Sequence, residues 1–229
     1  MSEVLITLGI IGVVAALTLP SLITNYQKKI TVTRLKEAYS ILSQTVIWAS
    51  TDYGDQMSWG NFKYSYDSQD DVTKNLPMQT KEFADKYIVK YISDARVHGW
   101  KSVEDFGIKS GYVGLNGKQL TNGNLSSTSQ NYIVELKNGQ VLYIHLDVWR
   151  QISVGCIIYV DINGKKGPNM FGKDTFTLVL GSGKLQPYYL NAGIETVKKN
   201  CVKGAEWGSI TCAALILHDN WQITKDYPW

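Results

Sequence analysis

One stretch limits what this chain can fold into more than any other. Val4 to Leu19 reads VLITLGIIGVVAALTL, a nearly unbroken apolar run with no charge in it. Glu3 is the only charge before it, and Pro20 ends its purely apolar character. With Ser21, Leu22 and Ile23 the run reaches about 20 residues, or ~30 Å of helix, enough to cross a hydrocarbon core. A secretory signal peptide wants a positive start and a small-x-small cleavage site. Met1-Ser2-Glu3 supplies an acid instead, and Ala15-Ala16 runs straight into Leu17-Thr18-Leu19-Pro20. An ordinary single-span anchor wants Lys and Arg on its cytoplasmic side and no carboxylate at its apolar edge. Here Lys28, Lys29, Arg34 and Lys36 all follow the span.

Ser2-Glu3-Val4-Leu5-Ile6-Thr7-Leu8, then Gly9 and Gly12, then Pro20 seventeen residues after Glu3, resembles the amino terminus of type IV pilins and type II secretion pseudopilins. The resemblance covers about thirty residues. It implies a leader ending in glycine that a prepilin peptidase removes, and an N-methylated new terminus. Met1 stands where that family has its third mature residue, so the expectation is a trimmed start, with processing belonging to a longer parent. A carboxylate in hydrocarbon is unfavourable unless paired. In the family, the residue matching Glu3 is thought to meet the terminal ammonium of a neighbouring subunit, which makes the penalty a signal for correct register. Gly9 and Gly12 allow close backbone approach between membrane helices. Pro20 lacks an N–H and can kink the helix.

At 229 residues there is room for this helix, over 1–24, and one globular domain, over 25–229. A net charge of +3, with basic residues scattered apart from Lys28-Lys29, Lys165-Lys166 and Lys198-Lys199, is too mild for nucleic-acid binding. Abundant Tyr, Asn, Gly and Ser suits an extracytoplasmic surface. If the domain lies outside the cytoplasm, Cys201 and Cys212, which enclose ten residues, are the natural disulfide pair. Cys156, inside an apolar run, reads as a buried small hydrophobe. The alternative is three reduced thiols.

Beyond Pro20 the helical period continues. Leu35, Tyr39, Leu42, Val46 and Ala49 form one apolar face, and the helix is predicted to reach about Ser50 and end near Asp52-Tyr53-Gly54. Residues 52–78 lack periodicity and read as loop, 80–93 as helix, 96–110 as ambiguous, and 112–115 as a short strand. Alternating runs on either side of Asn138-Gly139 predict a hairpin. Cys156 to Asp161 and Thr175 to Leu180 read as strands, Gly181 to Gly183 as a turn, and Ile194 to Cys201 as a short helix. The tail, with Trp207, Trp221, Trp229 and an apolar centre at Ala213–Leu217, is expected to pack on the domain. The plan is α+β: a long N-terminal helix lying on an antiparallel sheet. The pilin resemblance implies the same plan, with a carboxyl-terminal disulfide pinning the tail.

One downstream segment suggests chemistry. Asp161, Asn163, Asn169 and Asp174 flank glycines and a proline, the oxygen-rich composition of a calcium loop. Some pseudopilins carry calcium in a late loop, which the resemblance would extend here. Against it, the spacing is not an EF-hand, and Lys165 and Lys166 stand where ligands are wanted. The alternative is a turn built on Asx interactions. Enzymatic readings find little support. His98, His145 and His218 are isolated, and Cys156 with His145 and Asp147 makes a poor nucleophile set in an apolar setting. No Gly-x-Ser-x-Gly, Walker or dinucleotide motif occurs. Tyr64, Tyr66 and the tryptophans could stack on sugars or bases but also suit core and subunit contacts.

The expectation is a structural subunit, not an enzyme. It is single-pass in a bacterial inner membrane, with its amino terminus toward the cytoplasm and its domain in the periplasm or outside. It would polymerise with homo- or hetero-oligomeric pilin-like subunits into a type IV pilus or a type II secretion pseudopilus. The alternative is a membrane-anchored binding or adhesion module that does not polymerise.

Overall fold

One helix, α1 (Ser2–Tyr53), runs unbroken through both halves expected from the sequence. In this computed structural model, residues 2–59, 69–120, 125–147, 155–181, 183–205 and 209–229 are described. Pro20 lies inside α1 without ending it. The hydroxyls of Thr7, Thr18 and Thr24 donate to the carbonyls of Val4, Val14 and Pro20, so these hydroxyls are satisfied within the helix itself. No described side chain from Val4 to Ile30 is buried. From Thr31 on, one face turns inward: Val32, Leu35, Ala38, Leu42, Thr45, Val46 and Ala49 recur at three- and four-residue steps and are buried. Gly54, at φ +77°, closes the helix by donating its N–H to the Ser50 carbonyl, in a backbone conformation that glycine adopts without strain.

The buried half of α1 lies on a six-stranded sheet, β1 (Arg96–Ser102), β2 (Gln130–Glu135), β3 (Val141–Asp147), β4 (Gly155–Asp161), β5 (Thr175–Gly181) and β6 (Lys184–Pro187). The strands follow one another in chain order, and each pairs antiparallel with the next. This is the α+β arrangement the patterns predict. Alternation assigns the faces. Tyr132, Val134, Leu142, Ile144, Ile158, Val160, Phe176 and Leu178 join the helix in one core. Ile133, Tyr143, Ile157 and Tyr159 point to a second core with Phe106, Tyr112, Leu125 and Phe171. Both faces are covered, so apolar side chains occupy both sets of alternating positions along the strands. The predicted hairpin turns at Asn138-Gly139, where the Gly139 N–H reaches the Leu136 carbonyl.

Three local expectations are corrected. The region 52–78, expected as loop, contains the whole first half of helix α2 (Gln69–Tyr87). Its opening sequence QDDVTKN has no apolar stripe, and Pro77 lies inside it, so neither period nor punctuation betrays it. The helix expected over 80–93 stops at Tyr87 and continues only as a 3₁₀ turn at Val89–Tyr91. The strand expected at 112–115 is reduced to isolated bridges from Val113 to Gln119 and Met170. The ambiguous 96–110 resolves into β1 and the short α3 (Val103–Phe106), whose N-cap Ser102 accepts the Asp105 N–H. Further on come α4 (Ile194–Asn200) and α5 (Cys212–His218); Ala213 to Ile216 of α5 are buried, so this part of the tail packs on the domain as expected.

Candidate functional site

The most unusual surface is the first half of α1. All twelve Val, Leu and Ile side chains from Val4 to Ile23 are between 51% and 75% exposed. Fully burying such a side chain is worth about 1.5–3 kcal/mol, so twelve that are already partly covered represent roughly 10–20 kcal/mol of unmet burial. Apart from the backbone of their own helix turn, Gly9 and Gly12 have nothing within 4 Å of where a Cβ would sit, so no packing contact in the chain's own fold asks for glycine there. Among the described residues, α1 is the one helix long and apolar enough to cross a membrane. The Glu3 side chain lies outside the described residues, as do Tyr64, Tyr66 and Trp207.

A seam of aromatic and basic groups marks the point where α1 meets the domain. Thr31 donates its hydroxyl to the Lys173 carbonyl, and the buried Tyr227 donates its own to the Gly172 carbonyl at 2.5 Å. Two ammonium groups approach the Trp229 ring, Lys28 at 5.9 Å and Lys173 at 5.8 Å from its centroid. Two to three turns further along α1, Trp221 packs on Tyr39 and receives Lys36 at 5.6 Å. The tail is stapled as well: Cys201 and Cys212 form a disulfide joining the end of α4 to α5. Cys156 is the free cysteine, fully buried, and burial pushes its thiol far up, which disfavours the thiolate. His98 is held by Glu135 across β1 and β2 at 2.9 Å.

The loop from Asp161 to Asp174 brings together all four residues predicted from its composition. Asp161 Oδ1 accepts the N–H groups of Asn163 and Gly164, and its Oδ2 accepts the Tyr112 hydroxyl at 2.6 Å. Asp174 accepts the N–H groups of Asn169 and Met170 and the Asn163 amide. Gly164 is required: at φ +67° its Cβ would stand 2.7 Å from the Gly139 carbonyl oxygen, so the loop could not rest on the hairpin turn with any other residue. Each carboxylate oxygen already accepts a hydrogen, and Asn163 turns its NH₂ toward Asp174. A calcium ion would have to displace those donors, and as arranged the set does not fit a hard cation. The Oδ1 atoms of Asn163 and Asn169 are buried without a hydrogen-bond partner. Burial pushes Asp161 up to about 7, against the pull of Tyr112, and the neighbouring Asp174 charge adds to the rise. Asp174 is raised too, chiefly by burial. Sequence reasoning gathered this loop but missed Tyr112, which lies 49 residues from Asp161 and is marked by no spacing signal.

A stalk helix, bare over its apolar half and built into a disulfide-stapled α+β domain over the rest, defines the class of protein. The chain belongs to DUF6613, a family of unknown function, whose profile matches residues 21–229. No curated protein and no solved structure matches it.

Proposed function

We propose that the chain is a pilin-like structural subunit, held in a bacterial inner membrane by the first half of α1. From there it would polymerise with like subunits into a type IV pilus or secretion pseudopilus through that half-helix. One observation carries the reading: twelve exposed aliphatic side chains stand on a helix that is continuous with the domain. A detachable anchor needs no rigid connection to its cargo. A subunit that stacks in register does, because the helix then fixes how each domain faces the next. The resemblance at Glu3, Gly9, Gly12 and Pro20 supports the same reading, as does the intramolecular disulfide, which suits a domain outside the cytoplasm.

The experiment is immunogold electron microscopy of native cells with antibody raised against the domain. Labelled filaments are expected. Label confined to the membrane of intact, filament-free cells would favour an anchored binding module that never polymerises.

A further inference from the structure

The seam around Trp229 has the composition of a membrane interface: an amphipathic aromatic ring flanked by lysines. Its position along α1 is equally suggestive. Lys28 follows Ile23, the last aliphatic residue of the apolar run, by five residues, about 7.5 Å along the axis at ~1.5 Å per residue. Side chains on a helix lean toward its N-terminus, so the Lys28 stem points back toward the apolar half. Lys173 reaches the same ring from the domain side, and Lys29 is exposed beside Lys28. Trp229 is half-buried, and its N–H donates to the carbonyl of Tyr227, whose own hydroxyl is anchored on Gly172. Tyr26, 64% exposed, lies between this seam and the apolar run.

We infer that Trp229, Lys28 and Lys173 form a foot by which the domain rests on anionic lipid headgroups of the membrane that α1 enters. The inference rests on the single-span reading above. The ring sits at headgroup depth, the two stems lie along apolar surface, and their ammonium groups meet lipid phosphates. The foot fixes the height and tilt of the domain before assembly.

The test uses the full chain reconstituted into vesicles of phosphatidylcholine, alone or mixed with phosphatidylglycerol, containing lipid brominated near the headgroup end of its acyl chains. Subtracting the quenching of Trp229→Phe from that of the unaltered chain isolates Trp229. A Trp229 share that is present with phosphatidylglycerol, smaller without it, and reduced in the Lys28→Gln, Lys173→Gln double variant supports the foot. No Trp229 share, or one indifferent both to phosphatidylglycerol and to the lysines, overturns it. Alkaline extraction separates the two levels. A chain that resists alkali but shows no Trp229 share keeps its span and loses its foot. A chain washed off by alkali loses both.

Discussion

The Arg34 guanidinium on α1 donates to the Ile162 carbonyl oxygen at 2.7 Å, tying the helix to the loop that begins where β4 ends. The Arg34 carbonyl in turn accepts the Gln140 side-chain amide at 2.8 Å. Through one residue the stalk helix grips the loop and the hairpin turn together, and neither grip is visible in sequence, since the partners lie 128 and 106 residues away.

Arg34→Met keeps the stem's packing and removes the charged donor. It is expected to destabilise the domain by about 1–2 kcal/mol, the range for a hydrogen bond from a charged group at a partly exposed site. Urea unfolding checks it; an unchanged midpoint would make the contact incidental.

Reducing the Cys201–Cys212 bridge, or replacing both residues with serine, is expected to cost about 2–3 kcal/mol on the chain-entropy account of a short loop. Peptide mapping should find Cys156 alkylated only after unfolding, because it is buried. A thermal transition indifferent to reductant would contradict the staple.

Asp161 gives the domain a pH signature. Its carboxyl is pushed up to about 7 in the fold and returns to the ordinary carboxylate range on unfolding. Between those values the folded state holds a proton that the unfolded state has lost. Stability from this group is therefore full at low pH and falls as pH rises toward 7, with a slope of up to about 1.4 kcal/mol per pH unit. Asp161→Asn should flatten that slope in melting curves taken from pH 5 to 8. Calcium should leave the melting temperature unchanged. A rise abolished by Asp161→Ala or Asp174→Ala would instead assign the loop to a cation.

How far the sequence reaches depends on how local the signal is. The long apolar helix, the buried face from Leu35 to Ala49, the hairpin at Asn138-Gly139 and the two following strands are periodic or turn-coded within a few residues, and each appears where it was expected. The first turns of α2 carry no apolar stripe and read as loop. The loop residues Asp161, Asn163, Asn169 and Asp174 were legible as a group because they lie within one short segment. Their partner Tyr112 was not, nor was the meeting of Trp229 with Lys28 and Lys173, since only tertiary packing brings these residues together.

Removing residues 1–24 should yield a soluble, monomeric domain, because the part of α1 that packs on the sheet begins only at Thr31. Size-exclusion chromatography and circular dichroism read the outcome. An aggregated or unfolded product would mean that the apolar half also supports the fold.

The central claim, that the bare half-helix is an assembly element as well as an anchor, is tested most directly by separating insertion from polymerisation. In a parent chain carrying a leader and a processed terminus, Glu3→Ala and Gly12→Leu each leave the span apolar. The first removes the proposed partner of a neighbouring ammonium, a buried pair whose breaking typically costs ~3–5 kcal/mol. The second blocks close helix approach at a position where the chain's own fold leaves open space. The measurement is the yield of sheared filaments relative to alkali-resistant, membrane-inserted subunit. The account predicts unchanged insertion with filament yield sharply reduced in both variants; normal filament yield from both would contradict it.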